Sequence, residues 1–207
     1  MMLKPTAIIT LGLVFGIAAV SQSPSQEKHA SAKKTYTSPD GDFQFQYPDW
    51  LVDCAQHSGE ESWSCVSSMP ICSGMRTATG ATPVCFAYPS KRLGKGTNFE
   101  GAAFVVDKFR DAHDESTCIT ITEAEGTKTH TERINGVNFT VAEADGVAGG
   151  HAAESKVYRT FRNKTCYELD INFAAATATS DPPLKDFDFV LVGKALEQVL
   201  VTFKFLK

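Results

Sequence analysis

Apolar and polar residues alternate with period two through much of this chain. The clearest case is Phe43-Gln44-Phe45-Gln46-Tyr47, which predicts a strand with Phe43, Phe45 and Tyr47 pointing into a core. Ser38-Pro39-Asp40-Gly41 is a turn signal ahead of it, Pro48 ends it, and Trp50, Leu51 and Val52 return the chain to the apolar interior. Residues 83–88 and 102–109 also read as strands, separated by a Gly-rich loop over 91–97. Asn135-Gly136, between 131–134 and 137–141, is the pair that a two-residue hairpin with positive φ angles demands. A Gly-rich turn over 146–150 follows, and strands at 156–162 and 166–173 flank Asn163-Lys164-Thr165, a second hairpin signal. In the later strand Tyr167, Leu169 and Ile171 alternate with Glu168, Asp170 and Asn172, which predicts one buried face.

The period changes near the end. Phe189, Val192, Leu196, Val199 and Leu200 recur at helical spacing behind Asp186 or Asp188 as N-cap. Gly193 inside this helix costs about 1 kcal/mol relative to Ala, unless close packing requires it. Val201, Phe203 and Phe205 then alternate with Thr202 and Lys204 as a final strand. Many strands and one late helix predict an α+β fold, a mainly antiparallel β-sheet with the C-terminal amphipathic helix packed on it. Residues 53–82, poor in apolar positions and rich in Ser, Gly and Cys, read as a stapled excursion, and 110–117 as a polar connection.

The first 21 residues have the pattern of a secretory signal peptide. Lys4 gives the positive start, 7–20 the apolar stretch, and Ala19-Val20-Ser21 the small residues, so cleavage is expected before Gln22. As a helix the apolar run would cover roughly 21 Å of a hydrocarbon core of about 30 Å, which argues against an integral membrane span. Residues 22–35 contain no large apolar side chain and read as a flexible linker, leaving 36–207 as a single domain. An exported chain with six cysteines, Cys54, Cys65, Cys72, Cys85, Cys118 and Cys166, is expected to form three disulfides. Cys118 and Cys166 stand apart and are expected to pair, stabilising the fold by about 4 kcal/mol in the chain-entropy model. The pairing among Cys54, Cys65, Cys72 and Cys85 stays open. No C-x-x-C knuckle favours zinc over disulfides there.

Charge narrows the choice of partner. Twenty Lys and Arg against twenty-four Asp and Glu leave a formal charge of −4, and the only local basic cluster is Lys91, Arg92 and Lys95, so nucleic acid is not an expected partner. Motifs that would carry chemistry are weak. The chain has no G-x-S-x-G elbow, and its S-x-x-K match, Ser31 to Lys34, falls in the linker. None of His29, His57, His113, His130 and His151 has a His partner at H-E-x-x-H spacing. Asp111, His113, Asp114 and Glu115 could hold a divalent ion, but a solvated polar turn is the plainer reading. Asp40-Gly41-Asp42 lacks the other ligands of a calcium loop, and Gly94-Lys95-Gly96-Thr97 lacks the upstream Gly of a phosphate loop. Tyr47 and Trp50 could stack on a sugar or pack in the core. No catalytic, cofactor-binding or metal residue is assigned.

Three pieces in order carry a resemblance: F-x-F-x-Y-P-x-W over 43–50, the hairpin at Ile134-Asn135-Gly136-Val137, and the closing helix running into Thr202-Phe203-Lys204-Phe205. Together they resemble the PsbP-like superfamily, which includes the extrinsic PsbP subunit of photosystem II, Ran-binding nuclear transport factors and bacterial secreted domains. The resemblance covers about 36–207 and lies in apolar and turn patterns rather than chemistry. With Cys118 and Cys166-Tyr167-Glu168-Leu169 it is closest to uncharacterised secreted bacterial proteins. The six cysteines depart from both studied branches, so neither photosystem metal retention nor Ran binding is carried over.

The expected function is that of a secreted or periplasmic, non-catalytic binding or accessory module. Its partner would be a protein or small molecule held by loops, the cysteine-pinned excursion over 54–85 among them. Two alternatives remain: a small secreted enzyme with a carboxylate-based site assembled from separate loops, and an envelope protein that retains metal at His113 and its acidic neighbours.

Overall fold

The computed structural model describes residues 31–54, 65, 67, 69–72, 84–109, 114–121, 128–177 and 182–206. Within these the chain forms β1 (Lys33–Thr37), β2 (Phe43–Pro48), β3 (Val52–Asp53), β4 (Val84–Ala87), a 3-10 turn (Ser90–Arg92) and β5 (Phe99–Phe109). There follow α1 (Glu115–Ile119), β6 (Thr129–Ile134), β7 (Val137–Ala148), β8 (His151–Arg162), β9 (Thr165–Ala176), α2 (Phe189–Leu200) and β10 (Lys204–Phe205). Three strands form a small sheet in the order β1-β2-β10, and seven form a larger one in the order β3-β4-β5-β9-β8-β7-β6. Among the described residues every strand pair is antiparallel. The fold is α+β and mostly β, with its longer helix near the C-terminus.

Local chemistry fixes the hairpins. Asn135 and Gly136, at φ 47° and 86°, turn β6 into β7, and Asn163 and Lys164, at 49° and 60°, turn β8 into β9. Left-handed backbone at both central positions matches the twist of the flanking strands. Gly149 and Gly150 make a third such turn. The Gly-rich turn expected over 146–150 is therefore shorter than its composition suggests. Gly146, Val147 and Ala148 continue β7, and β8 starts at His151 rather than 156.

The principal core lies between the large sheet on one side and α2 with the small sheet on the other. Phe43 and Phe45 are fully buried, Phe43 stacking on Phe203 at 5.2 Å and Phe45 meeting Phe104 edge-on at 5.2 Å. Helix α2 starts at Asp188, whose side chain accepts from Leu191 N–H at 2.8 Å; Asp186 instead accepts from Asn98 Nδ2. It buries Val192, Leu196, Val199 and Leu200, each contributing roughly 1.5–3 kcal/mol of transfer free energy. Val201 caps the helix and is 58% exposed, so the final strand is only Lys204–Phe205, paired with β2. The start of β1 at Lys33 draws three residues read as linker into the small sheet. All but Tyr36 in that strand are exposed, so no apolar alternation announces it.

Strand β9 departs most from expectation. Both its faces are buried, Glu168 and Asp170 fully and Asn172 nearly so, because it sits between β5 and β8 with material packed on each side. Disulfides brace the side away from α2. Cys54 joins Cys65, Cys72 joins Cys85, and Cys118 on α1 joins Cys166 on β9. Ile71 and Cys72 cluster with Ala103, Val105 and Ala174, and Asn172 Nδ2 donates to Ile71 O at 3.0 Å. Gly101 permits this approach, since a Cβ there would lie 2.8 Å from Ile71 Cγ2. The short helix α1 was hidden in the polar connection. It forms because Asp114 accepts from Thr117 N–H at 2.8 Å and because its one buried residue, Cys118, is tied to β9.

Candidate functional site

Two neighbouring strands change character at one level of the large sheet. Toward α2, β7 presents Phe139 and Val141 and then Glu143 and Asp145, while β8 presents Tyr158 and then Lys156 and Glu154. Strand β9 stays apolar throughout, with Leu169, Ile171 and Phe173. Directly paired residues share a face, so Glu143, Lys156 and Ile171 form one row, and Asp145, Glu154 and Phe173 the next. Opposite these rows α2 offers Phe189, Gly193 and Glu197, spaced four apart on one helix face. The space between is a cleft of about 490 Å³, a volume within the range of small-molecule sites.

The cleft is apolar at its base and acidic at its edge. Ile171 and Phe173 are buried, and Phe189, 40% exposed, lies against Phe173 with ring centroids 4.2 Å apart. Glycine at 193 leaves the base open, where a Cβ would stand 3.6 Å from Phe173 Cζ. Glu143, Asp145, Glu154 and Glu197 are exposed around it. Asp145 and Glu154 are direct cross-strand partners, an arrangement of like charges that destabilises a sheet.

Among the described residues Lys156 is the one cation in the lining, and it is already engaged. Its Nζ stands 2.8 Å from Glu132 Oε1, a carboxylate oxygen that also lies 2.9 Å from His130 Nε2. Partial burial would raise the Glu132 carboxyl, but hydrogen bonds from Lys156 and His130 hold it below its ordinary range. Burial would likewise lower the Lys156 ammonium, yet its bonds to Glu132 and Tyr158 raise it. The lysine also sits 5.2 Å over the Tyr158 ring.

The other face of the sheet carries a buried charge row. Asp107, Glu168 and Arg159 are register partners across β5, β9 and β8. Arg159 Nε donates to Glu168 Oε2 at 2.5 Å and its Nη1 to Thr120 O at 3.1 Å, tying the row to the end of α1. Burial pushes the Asp107 carboxyl up to about 6, against a hydrogen bond from Lys108 N–H and with help from the Glu168 charge.

Residues singled out from the sequence fall elsewhere. The cysteines brace the face opposite the cleft. The sulfurs of Cys54, Cys72 and Cys85 lie within 4.8 Å of one another, the only metal-ligand grouping among the described residues, and all three are in disulfides. Of the acidic cluster around His113, Asp114 caps α1, which holds its carboxyl near 2, chiefly through the Thr117 N–H; Asp111 and His113 lie outside the described residues, as do His29 and His57. Residues 1–30 and 55–64, and with them the signal peptide and much of the excursion, also lie outside the described residues. Asp40 and Asp42 both pair with Lys108 at 2.8 Å, and Asp42 also accepts from Tyr167 OH. Trp50 packs edge-on against Tyr88 with the Arg92 guanidinium 4.2 Å over its ring, and Tyr47 lies 4.3 Å from Phe86, so both serve packing. Gly96 O accepts from Lys185 N at 2.9 Å, which makes 94–97 a connection pinned to the chain ahead of α2.

No protein-family model matches the chain, and no curated protein resembles it in sequence. Similar solved structures include a protein from Bacteroides thetaiotaomicron VPI-5482, at 15% identity over 84% of this chain and a TM-score of 0.49. The chain spans about half of that protein's length, 48%. The Saccharomyces cerevisiae Ran-binding protein Mog1p is similar at 9% identity and a TM-score of 0.49, covering 86% of this chain and 97% of Mog1p. Cyanobacterial PsbP from Synechocystis sp. is similar at 12% identity and a TM-score of 0.42, covering 89% and 98%.

Proposed function

We propose that this chain is an exported binding module, periplasmic or extracellular, whose ligand seats between α2 and strands β7, β8 and β9. The cleft itself carries the reading. The edge of opposed carboxylates costs stability and is not needed for packing, and Phe189 leaves apolar surface, 40% exposed, at the mouth of the base. Three disulfides fit an oxidising compartment, and the signal-peptide pattern over 1–21 agrees with export. Among the described helices none is long and apolar enough to cross a membrane. A binding role is favoured over acid-base chemistry because Asp107, the carboxyl raised to about 6, is buried on the opposite face.

A fragment library of mixed charge, screened against the ¹⁵N-labelled mature protein, tests this reading. Amide shifts are expected to gather on 143–145, 154–156 and 189–197. Hits confined to other surfaces, or none at all, would reject the cleft as the binding face.

A further inference from the structure

We infer that the cleft takes an organic cation, an ammonium or guanidinium group carried on an apolar stem. This inference rests on the cleft being the binding site and adds the class of ligand. The lining holds four carboxylates, Glu143, Asp145, Glu154 and Glu197, against one cation, Lys156. That cation is spent on Glu132, which stands outside the cleft and binds it at 2.8 Å. Among the described residues the four carboxylates therefore face the cleft with no lining cation left to balance them. Asp145 and Glu154, opposed across β7 and β8, repel each other until a positive group sits between or above them. Beneath them Phe189, 40% exposed and lying against the buried Phe173, presents an aromatic surface that an alkyl or aryl stem would cover. A purely inorganic cation would leave that aromatic base unused, and an anion or a neutral apolar molecule would leave the carboxylates uncompensated. The same chemistry is offered by a free amine and by a Lys or Arg side chain of a protein partner.

The test compares 2-phenylethylammonium, its neutral analogue 2-phenylethanol, and 3-phenylpropionate by ¹⁵N chemical-shift titration of the mature protein. The ammonium is expected to shift the amides of 143–145, 154–156 and 189–197, with affinity at least about tenfold above the alcohol and falling as salt rises. Glu132→Gln releases Lys156 and is expected to weaken the ammonium several-fold although residue 132 lies outside the cleft. Lys156→Gln is expected to tighten it. Glu197→Gln, at an exposed helix position, gives a weakening that does not depend on the Glu132 network keeping its fold. A peptide with one Lys flanked by Leu and Phe, binding tenfold above the free amine with shifts extending over Val190 and Leu191, would identify a protein side chain as the source; equal affinities would identify a free amine. Equal or tighter binding of the alcohol or the carboxylate in the cleft would overturn the cation assignment while leaving the cleft as the binding site. Absence of cleft shifts with all three probes would overturn both.

Discussion

Asp107→Asn is expected to remove a pH dependence that the wild-type protein carries in its buried charge row. Asp107 is 4% exposed, faces Glu168 across β5 and β9, and accepts a hydrogen bond from Lys108 N–H at Oδ1, an acceptor that Asn retains. Its carboxyl is held at about 6 by burial, with the Glu168 charge acting in the same direction; Arg159 balances Glu168 itself. An unfolded Asp titrates near 3.9. Between those values the folded protein keeps a proton that the unfolded chain has released. The contribution of Asp107 is therefore full below about pH 4 and is lost as pH rises to about 6. About two pH units at 1.36 kcal/mol each give at most about 3 kcal/mol. The variant's stability relative to wild type should accordingly rise by up to that amount from pH 3.5 to pH 7.5, whatever its constant offset. Urea unfolding with disulfides intact, at half-unit pH steps, measures this difference directly. A difference flat with pH would refute the view that Asp107 is buried beside Glu168 as a proton-holding group.

Removing the disulfide of the 48-residue loop with Cys118→Ala and Cys166→Ala should cost about 4 kcal/mol and lower Tm by roughly 10 °C, read by thermal unfolding at fixed pH. Gly193→Ala should stabilise by up to about 1 kcal/mol, since its Cβ meets Phe173 Cζ at an ordinary 3.6 Å, and should weaken cleft ligands by narrowing the base. Gly101→Ala should do the opposite to stability, because Ser67 and Ile71 must move to admit the Cβ; chemical denaturation of the two variants side by side distinguishes them. Asp188→Ala should cost about 1 kcal/mol through loss of the α2 cap, and the loss should show as faster amide exchange at Leu191.

Much of this architecture is legible in the sequence because local chemistry dictates it. Asn135-Gly136 permits one kind of turn, Phe43 and Phe45 alternate into one core, and Val192, Leu196 and Val199 share one helix face. What the sequence hides depends on neighbours distant along the chain. The polar residues of β9 look solvent-facing until β5, β8 and the disulfide-bound segments enclose them. Gly146 looks like a turn residue until β8 pairs with it through Ala153. The cleft is the extreme case. Glu143, Asp145, Glu154 and Glu197 carry no motif, and each alone is an ordinary exposed acid. Only the β7–β8 register, which sets Asp145 against Glu154, shows that the inward-facing apolar series stops in both strands at the same level. The available signal is that double interruption, Val141 to Glu143 and Tyr158 to Lys156, read across a hairpin whose turn is shorter than its glycines suggest.

The two faces of β9 divide the work of the molecule. On one, Glu168 and Asp170 are enclosed, and the Cys118–Cys166 bond and the Arg159 bonds to Glu168 and Thr120 hold the sheet, α1 and the segment after it in a single register. On the other, the apolar residues first meet α2 and the small sheet, then run out beneath the cleft at Ile171 and Phe173. Such a fold can tolerate opposed carboxylates and a helix glycine at the cleft because the braced face offsets their cost. The substitutions that relieve the cleft, Gly193→Ala among them, should then raise stability and lower ligand affinity together, whereas Asp107→Asn should change stability alone. That separation follows from β9 standing between the two sites, and shared loss of binding in both variants would show that the faces are coupled.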